Sequence, residues 1–400
     1  MYLLTIPESV LSFICGFGIL QGVLLAAFIY FHRKSDKSVN IFLALHIICT
    51  SAIMSLPFTI KMVGWRQGYL LYWIPAIGGP ILYFYLRSFK EHINFKKIAP
   101  HLAFPILFFL LTYWNITRLS SRLPDSEDVP AEILQNPVTI SIQIFRSIQQ
   151  IFYFFLARRT LLSYQRSIRQ LFSETSNIDL QWAKFLVNGY LALVLLFVAV
   201  YPLMVKYPDQ FNLLLLLNMS LATPYIYVAT YKGILQHTIW QIQPEIKKEN
   251  VQEQILHAEK IDTTEINIEK VKQEKPIINE AKLDDLVKKV TSLMEVEKIY
   301  QEPELTLQQL AKKLEVPVYQ VSQTLNEGMK KNFYDVVNGY RVEEAKRLLL
   351  DEKNKNYTIL SVGFEAGFNS KTTFNTVFKK FTGMTPTEFR AEQAIPTSLA

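Results

Sequence analysis

Seven long apolar segments fill the first 231 residues and limit what this chain can fold into. A helix needs about 20 mostly apolar residues to cross a hydrocarbon core about 30 Å thick. Six of the segments contain no Asp, Glu, Lys or Arg, and the fifth contains only Arg146. The segments lie at roughly 10–31, 39–60, 69–86, 98–116, 138–157, 185–205 and 211–231. They predict an N-terminal bundle of seven transmembrane helices over residues 1–236.

Lysine and arginine are divided unevenly between the alternate loops of this bundle. Eleven lie in one set of loops: Arg33, Lys34, Lys37, Arg87, Lys90, Lys96, Lys97, Arg158, Arg159, Arg166 and Arg169. Five lie in the other set: Lys61, Arg66, Arg118, Arg122 and Lys206. Because cytoplasmic loops carry the excess of these residues, we expect the N-terminus outside and everything after Lys232 in the cytoplasm. The chain is then a multi-pass protein of the cell (inner) membrane.

The charge distribution separates three parts of the chain. The net charge is +9 over residues 1–243, −3 over 244–281 and +1 over 282–400. The middle part is rich in Glu, Lys, Gln and Ile and contains no Gly, which is typical of a tether with partial helix. We assign residues 237–281 to a cytoplasmic charged linker, 282–393 to a soluble domain and 394–400 to a tail.

The sequence contains no pattern that would make either half an enzyme. Cys15 and Cys49 lie in apolar segments, and the soluble half contains no cysteine, which excludes a disulfide scaffold or a Cys-based zinc site there. His46 and His101 have no metal-binding partner four residues on and are expected to be packing residues. HExxH motifs and Gly-rich phosphate loops do not occur. We expect no enzyme activity, cofactor or metal.

Arg146 is the most informative residue of the membrane half. A charge near the middle of a span is costly, and Gln143, Arg146 and Gln150 share one helix face. We expect this face to point into the bundle. The hypothesis is that these three residues bind an anionic group of a signal molecule. The alternative, an arginine satisfied by backbone groups and by Gln149 or Asn188, stays open.

The soluble domain has the pattern of short amphipathic helices without strand alternation, so the whole chain is predicted to be all-α. Thr306 with Gln309, and Ser370 alone, are expected helix N-caps. The pattern predicts two helix-turn-helix units on either side of one long connecting helix. The predicted helices are 282–300, 306–314, 318–328, 333–350, 358–364, 370–381 and 387–393.

The exposed face of the second helix in each unit is where DNA would be read. In the first unit it carries Tyr319, Gln320, Ser322, Gln323 and Asn326. In the second unit it carries Ser370, Lys371, Thr372, Asn375, Thr376 and Lys379. Amides pair with adenine, lysine reaches guanine or phosphate, and threonine methyls meet thymine methyls. The two helices would enter successive major grooves if they lie about 34 Å apart. A plain solvated helix face is the alternative.

A spaced set of residues near the C-terminus carries a family resemblance. The set is Gly367-Phe368-Asn369-Ser370, Phe374, Phe378-Lys379, Gly383, Thr385-Pro386 and Phe389-Arg390. Upstream, Leu310-Ala311, Ser322 and Arg341-Val342-Glu343-Glu344-Ala345 extend it. With these residues, 282–393 resembles the AraC-type DNA-binding domain. The resemblance implies a sequence-specific transcription regulator whose other domain senses a signal.

The chain departs from the family pattern at three positions. Gly363 stands where the family usually has alanine, and Pro317 replaces a common serine. Gln323 stands where arginine is frequent, which changes the contacts expected from the first unit. Gly363 is still small enough for two helices to cross.

Two readings of the function follow. In the first, the bundle senses an unknown small-molecule or envelope signal, and the tail binds double-stranded promoter DNA. In the second, the chain is a membrane transporter or receptor whose tail binds a protein partner. Whether the chain forms a homodimer, and whether a signal rearranges the bundle or releases the tail by proteolysis, stays open.

Overall fold

The computed structural model describes residues 8–31, 37–54, 56–123, 129–175, 178, 180–235 and 279–393. Several sequence predictions lie outside these residues. They are the charged linker up to residue 278, the tail 394–400, and the basic residues Arg33 and Lys34.

Within the described residues the protein is all-α, as predicted. The chain divides into two compact units. Met1–Tyr164 and Leu180–Glu245 form the first unit, and Gln165–Asp179 and Ile246–Ala400 form the second. The sequence places residues 165–179 in the membrane half, whereas the structure groups them with the C-terminal domain.

The first unit consists of helices that follow the apolar segments. They are α1 Glu8–Phe31, α2 Lys37–Met54, α3 Leu56–Val63, α4 Trp65–Leu70, α5 Pro75–Ser88, α6 Phe95–Ser120, α7 Ala131–Leu134, α8 Pro137–Leu171, α9 Ala183–Lys206 and α10 Phe211–Leu235. The residues of α8 after Tyr164 belong to the second unit. Helices α1 and α2 pack closely, since a side chain at Gly22 would overlap Ser51. A side chain at Gly79 would similarly lie 2.9 Å from Tyr153. Glycine therefore serves helix contacts inside this unit.

Polar and apolar side chains of α8 are distributed inside out. Gln143, Arg146, Ser147, Gln149 and Gln150 are buried. The large apolar side chains of the same helix point outward: Ile144, Phe145, Ile148, Phe152 and Phe155. In water the hydrophobic effect favours the opposite arrangement. An apolar surrounding reverses the preference, because polar groups must then find partners inside the bundle.

Within the described part of the chain, four helical stretches are long and apolar enough to cross a membrane. They are Trp65–Ser88, Phe95–Ser120, Ala183–Lys206 and Pro208–Leu235. Gly16–Phe31 of α1 and Lys37–Ile53 of α2 are further apolar stretches of these helices. The structure therefore supports several membrane-spanning helices, while the predicted number of seven is not confirmed.

The second unit contains the two predicted helix-turn-helix units. Its helices are α11 Glu280–Glu295, α12 Leu307–Leu314, α13 Val318–Gln323, α14 Phe333–Leu350, α15 Ile359–Glu365, α16 Lys371–Thr382 and α17 Pro386–Gln393. The prediction of one helix over 282–300 is wrong at its end. Lys298 adopts a left-handed conformation (φ 50°), so α11 ends at Glu295 and Ile299–Gln301 forms a separate 3₁₀ turn.

Aromatic side chains form the core around the second helix-turn-helix unit. Phe368, Phe374 and Phe378 are buried, with ring centroids 5.0 and 5.6 Å apart for successive pairs. Gly363 of α15 faces this cluster, and a Cβ there would lie 2.6 Å from the Phe374 ring. Glycine therefore lets α15 approach α16 more closely than the family's alanine would.

Candidate nucleic-acid interface

The first helix-turn-helix unit begins with a complete capping box. Thr306 Oγ1 accepts a hydrogen bond from the Gln309 backbone N–H (3.3 Å), and the Gln309 side chain accepts from the Thr306 N–H (2.8 Å). Leu307, Leu310 and Ala311 of α12 are buried. The helix ends at Glu315, which adopts a left-handed conformation (φ 56°) and turns the chain into α13. The predicted N-cap at Thr306 is confirmed by the structure.

Helix α13 and the π turn that follows it carry the predicted reading face of the first unit. The five residues are Tyr319, Gln320, Ser322, Gln323 and Asn326. Tyr319 is 46% exposed, and the other four are partly buried. Gln323 Nε2 donates to the Glu327 carboxylate (2.8 Å), and Asn326 Nδ2 donates to Ser322 Oγ (3.4 Å). The amides of Gln323 and Asn326 are therefore engaged in local bonds, and one neighbour is acidic.

Helix α16 carries the predicted reading face of the second helix-turn-helix unit. Ser370 is its N-cap, and its Oγ accepts from the Thr373 N–H (3.1 Å). Thr373, Phe374, Val377 and Phe378 are buried, which turns the opposite face outward. On that outward side Lys371, Thr372, Thr376 and Lys379 are exposed, and Asn375 is half-buried. The sequence placed all of these residues on one face, and the structure brings them together there.

Gly367 fixes the turn between α15 and α16. Its φ of +94° lies in the left-handed region that glycine favours. A Cβ at Gly367 would lie 2.5 Å from the Tyr300 carbonyl oxygen and 2.7 Å from the Gln301 Cα. The turn of the second helix-turn-helix unit therefore packs directly against the backbone that precedes the first helix-turn-helix unit.

Arg341 of the connecting helix α14 occupies the interior of the domain. Its Nε donates to the Tyr300 carbonyl (2.7 Å), and its Nη2 donates to the Glu302 carbonyl (2.7 Å). Burial lowers the pKa of Arg341 to about 10, and the nearby charge of Glu174 opposes that change. The sequence signalled Arg341 only as part of the family pattern, because three of its five partners are backbone carbonyls, which no motif reveals.

Charges around the two reading faces differ. The face of α16 carries Lys371 and Lys379, and Lys380 beside it pairs with Asp335 (2.7 Å). The face of α13 carries no basic residue and has Glu327 next to it. Phosphate contacts supply much of the affinity for DNA. The second helix-turn-helix unit, which carries the lysines, is therefore better placed than the first to make these contacts.

A separate cavity of about 60 Å³ lies in the N-terminal compact unit, and Arg146 and Gln150 help to line it. Arg146 is buried, and its Nη1 donates to the Tyr72 carbonyl (2.6 Å). Its guanidinium lies 4.6 Å from the centroid of the Phe197 ring, and Nε has no hydrogen-bond partner among the described residues. The predicted inward orientation of this helix face is confirmed.

The other polar residues near Arg146 have different partners. Gln149 donates to the Ala76 carbonyl (2.9 Å), and Asn188 is exposed, so neither is a hydrogen-bond partner of Arg146. Gln143 is buried but does not line the cavity. His46 is buried between the Gly78 carbonyl (3.2 Å) and the Tyr225 hydroxyl (2.7 Å). Among the described residues, no cluster of three or more His, Cys, Asp or Glu side chains could bind a metal ion.

Comparison with known proteins gives one finding. Residues 310–392 match a family model described as a helix-turn-helix domain. These residues form a helix-turn-helix domain of the AraC type, in agreement with the resemblance in the sequence. Searches of curated proteins and of solved structures returned no match to the chain.

Proposed function

We propose that this chain is a membrane-embedded, sequence-specific DNA-binding transcription regulator. The observation that carries the proposal is the AraC-type helix-turn-helix domain at 310–392, with α16 capped at Ser370 and its polar face turned outward. A helix-turn-helix protein reads base edges in the major groove with its second helix. Promoter DNA is therefore the partner proposed for the cytoplasmic tail.

The two units contribute unequally to DNA recognition. Asn375 offers an amide suited to adenine, while Lys371 and Lys379 offer charge for phosphate or guanine. Gln323 already donates to Glu327, so using its amide for a base requires that bond to break. The second helix-turn-helix unit supplies most of the affinity for DNA, and the first helix-turn-helix unit adds contacts through Tyr319 and its neighbours.

The N-terminal unit spans the membrane with its N-terminus outside and its C-terminal end in the cytoplasm. The four apolar helical stretches and the inside-out distribution of α8 support this proposal. Three further spans, α1, α2 and α8, complete the seven expected from the sequence. An odd number of spans with basic cytoplasmic loops puts the DNA-binding domain on the side where DNA is found.

Arg146 binds an anionic group of the signal. The support is its burial, the unused Nε, and the adjacent cavity that also includes Gln150. A buried guanidinium without a full set of hydrogen bonds is costly, and a carboxylate or phosphate would supply the missing acceptors. Gln143 supports the site from outside the cavity lining.

Membrane isolation and DNA capture test the proposal together. Formaldehyde is added to cells that make the tagged full chain, membranes are collected, and the DNA bound to the chain is sequenced. We expect discrete promoter fragments that are lost in Lys371→Ala/Asn375→Ala at an equal amount of membrane protein. Recovery of a protein partner without enriched DNA would instead favour the transporter or receptor function.

A further inference from the structure

The residues after α8 form a short segment that pairs with the start of the first helix-turn-helix unit. Ser173 Oγ donates to the Leu305 carbonyl (2.6 Å), and its backbone N–H donates to the same oxygen (3.2 Å). Phe172 forms an isolated antiparallel bridge with Thr306, the N-cap of α12. We call the end of α8 from residue 169, together with residues 172–175 and 178, the docking segment.

The docking segment also bonds to the connecting helix α14. Asn338 Nδ2 donates to the Ser173 carbonyl (2.9 Å), and Arg341 Nη2 donates to Ser173 Oγ (3.3 Å). Ser173, Asn338 and Arg341 are each 0% exposed. These polar groups therefore lie in the interior of the domain, where a donor without an acceptor is costly.

A third set of contacts reaches the second helix-turn-helix unit. Thr373 Oγ1, in the first turn of α16, donates to Glu174 Oε1 (3.2 Å). The carboxylate of Glu174 thus lies near the positive end of the helix dipole, where a negative charge is favourable. The Arg169 guanidinium lies 5.6 Å from the centroid of the Tyr334 ring, at the start of α14.

One segment therefore touches both helix-turn-helix units and the helix that joins them. It leaves the DNA-reading face of α16 uncovered, since Lys371, Thr372 and Thr376 stay exposed beside the buried Thr373. A segment that blocked DNA would cover that face. The position of the docking segment instead suits an element that holds the two helix-turn-helix units in one arrangement.

We propose that the docking segment is an intramolecular clasp that completes the DNA-binding domain and ties its activity to the membrane helices. When the segment is docked, it holds the two helix-turn-helix units in the arrangement that binds DNA. When it is withdrawn, Asn338 and Arg341 have fewer hydrogen-bond partners, and the two helix-turn-helix units are held less firmly. This inference rests on the proposed DNA-binding function. It names the loop between the fifth and sixth predicted spans as the regulatory route.

Chain connectivity explains why this route can carry a signal. The segment begins within α8, and the chain returns to the N-terminal unit at Leu180. Displacement of α8 or α9 by a ligand at Arg146 would therefore pull on the segment from either end. Such a displacement shifts an equilibrium between docked and withdrawn forms.

DNA affinity of the full chain in lipid nanodiscs tests the clasp. The variant is Glu174→Lys, which removes the acceptor for Thr373 and brings a positive charge towards Arg341. The matched control is Glu352→Lys, an equal change of charge at an exposed residue in the turn after α14. The probe is a DNA duplex that carries the motif selected by the unmodified chain.

We expect Glu174→Lys to weaken binding by about tenfold, although added positive charge ordinarily tightens it, and Glu352→Lys to leave binding unchanged or slightly tighter. Equal affinity of both variants and the unmodified chain would overturn the clasp and leave the proposed function intact. Failure of the unmodified chain to select any DNA would instead overturn the proposed function.

A cross-link tests docking without relying on DNA or on the stability of the charge variant. Cysteines replace Glu174 and Thr373 in a full chain whose native Cys15 and Cys49 are changed to alanine. We expect a short thiol cross-linker to join the two positions in the folded chain, and the joined chain to keep its DNA affinity because Thr373 is buried. Absence of a cross-link in the folded chain, or loss of affinity once joined, would contradict the proposal.

Discussion

Gly367 and Gly383 show how single residues set the geometry of the second helix-turn-helix unit. Both have positive φ, +94° and +84°. Their surroundings differ, because a side chain at Gly367 would strike the Tyr300 and Gln301 backbone, whereas a Cβ at Gly383 has nothing within 4 Å. The sequence marks both as members of one signature and gives no means of ranking them.

Alanine at these two positions separates backbone strain from steric overlap. We expect Gly383→Ala to lower the free energy of unfolding by about 1 kcal/mol, the cost of the left-handed conformation. Gly367→Ala adds overlap with fixed backbone and should lower it by about 3 kcal/mol or more. Hydrogen exchange of the α14 amides in the full chain measures both values, and equal losses would contradict the structure.

Asn375 and Gln323 test the inequality of the two reading faces. We expect Asn375→Ala to weaken specific DNA binding by about 1–3 kcal/mol and to relax the preference at one base pair. Gln323→Ala should cost less, because its amide already donates to Glu327. Competition binding against single-base variants of the site measures both, with Lys353→Ala in the exposed turn after α14 as the control. A larger loss for Gln323 would reverse the assignment.

Glu344 gives the domain a predictable pH dependence. Hydrogen bonds from Arg347 (2.9 and 3.0 Å) and Lys298 (3.3 Å) hold the pKa of Glu344 below its ordinary value. Its contribution to stability is therefore present at neutral pH and is lost as the pH falls below the ordinary pKa of glutamate towards the lowered one. We expect Glu344→Gln to cost about 1–2 kcal/mol at pH 7 and little near pH 3. Glu343→Gln, at an exposed position on the same helix, is the control, and a loss independent of pH would contradict this account.

At the scale of elements, local signals predicted most of the C-terminal domain. The connecting helix was expected at 333–350 and lies at Phe333–Leu350, and the caps at Thr306 and Ser370 form as expected. These features depend on neighbouring residues, so the sequence displays them. The early end of α11 depends on a left-handed lysine, Lys298, which has no sequence signature.

Long-range contacts of α8 and the residues after it could not be read from the sequence. Ser173 is an ordinary serine in a predicted loop, yet it bonds to residues more than 130 positions away. With 35 residues, α8 is about 52 Å long and exceeds the thickness of a hydrocarbon core. Its apolar segment predicted a span, and nothing in that pattern indicated that its end enters another domain.

The outward face of α8 carries a prediction about its surroundings. Phe145 is 65% exposed, so a charge there would be harmless in water and costly in lipid. We expect Phe145→Lys to reduce the amount of chain inserted in the membrane, at a cost of about 3 kcal/mol near the bilayer centre. Phe364→Lys, a similarly exposed phenylalanine of the soluble domain, is the control and should be tolerated. Equal membrane levels for the two variants would contradict a lipid-facing α8.

At the scale of the whole molecule, the chain passes between the two compact units in two regions. The sequence indicated one of them, the charged linker, as a tether. The structure adds the docking segment, which belongs to the second unit although the chain on both sides of it belongs to the first. Composition and hydropathy separate the two halves but do not show that a loop of one is built into the other.

The central claim is that the intact chain recognises specific DNA. The most direct measurement is selection from a random duplex library by the full chain in lipid nanodiscs, with Lys371→Ala/Asn375→Ala selected in parallel. The account predicts an enriched motif for the unmodified chain that is lost or altered in the double variant. Enrichment of no motif at low salt, or of the same motif by both chains, would contradict it.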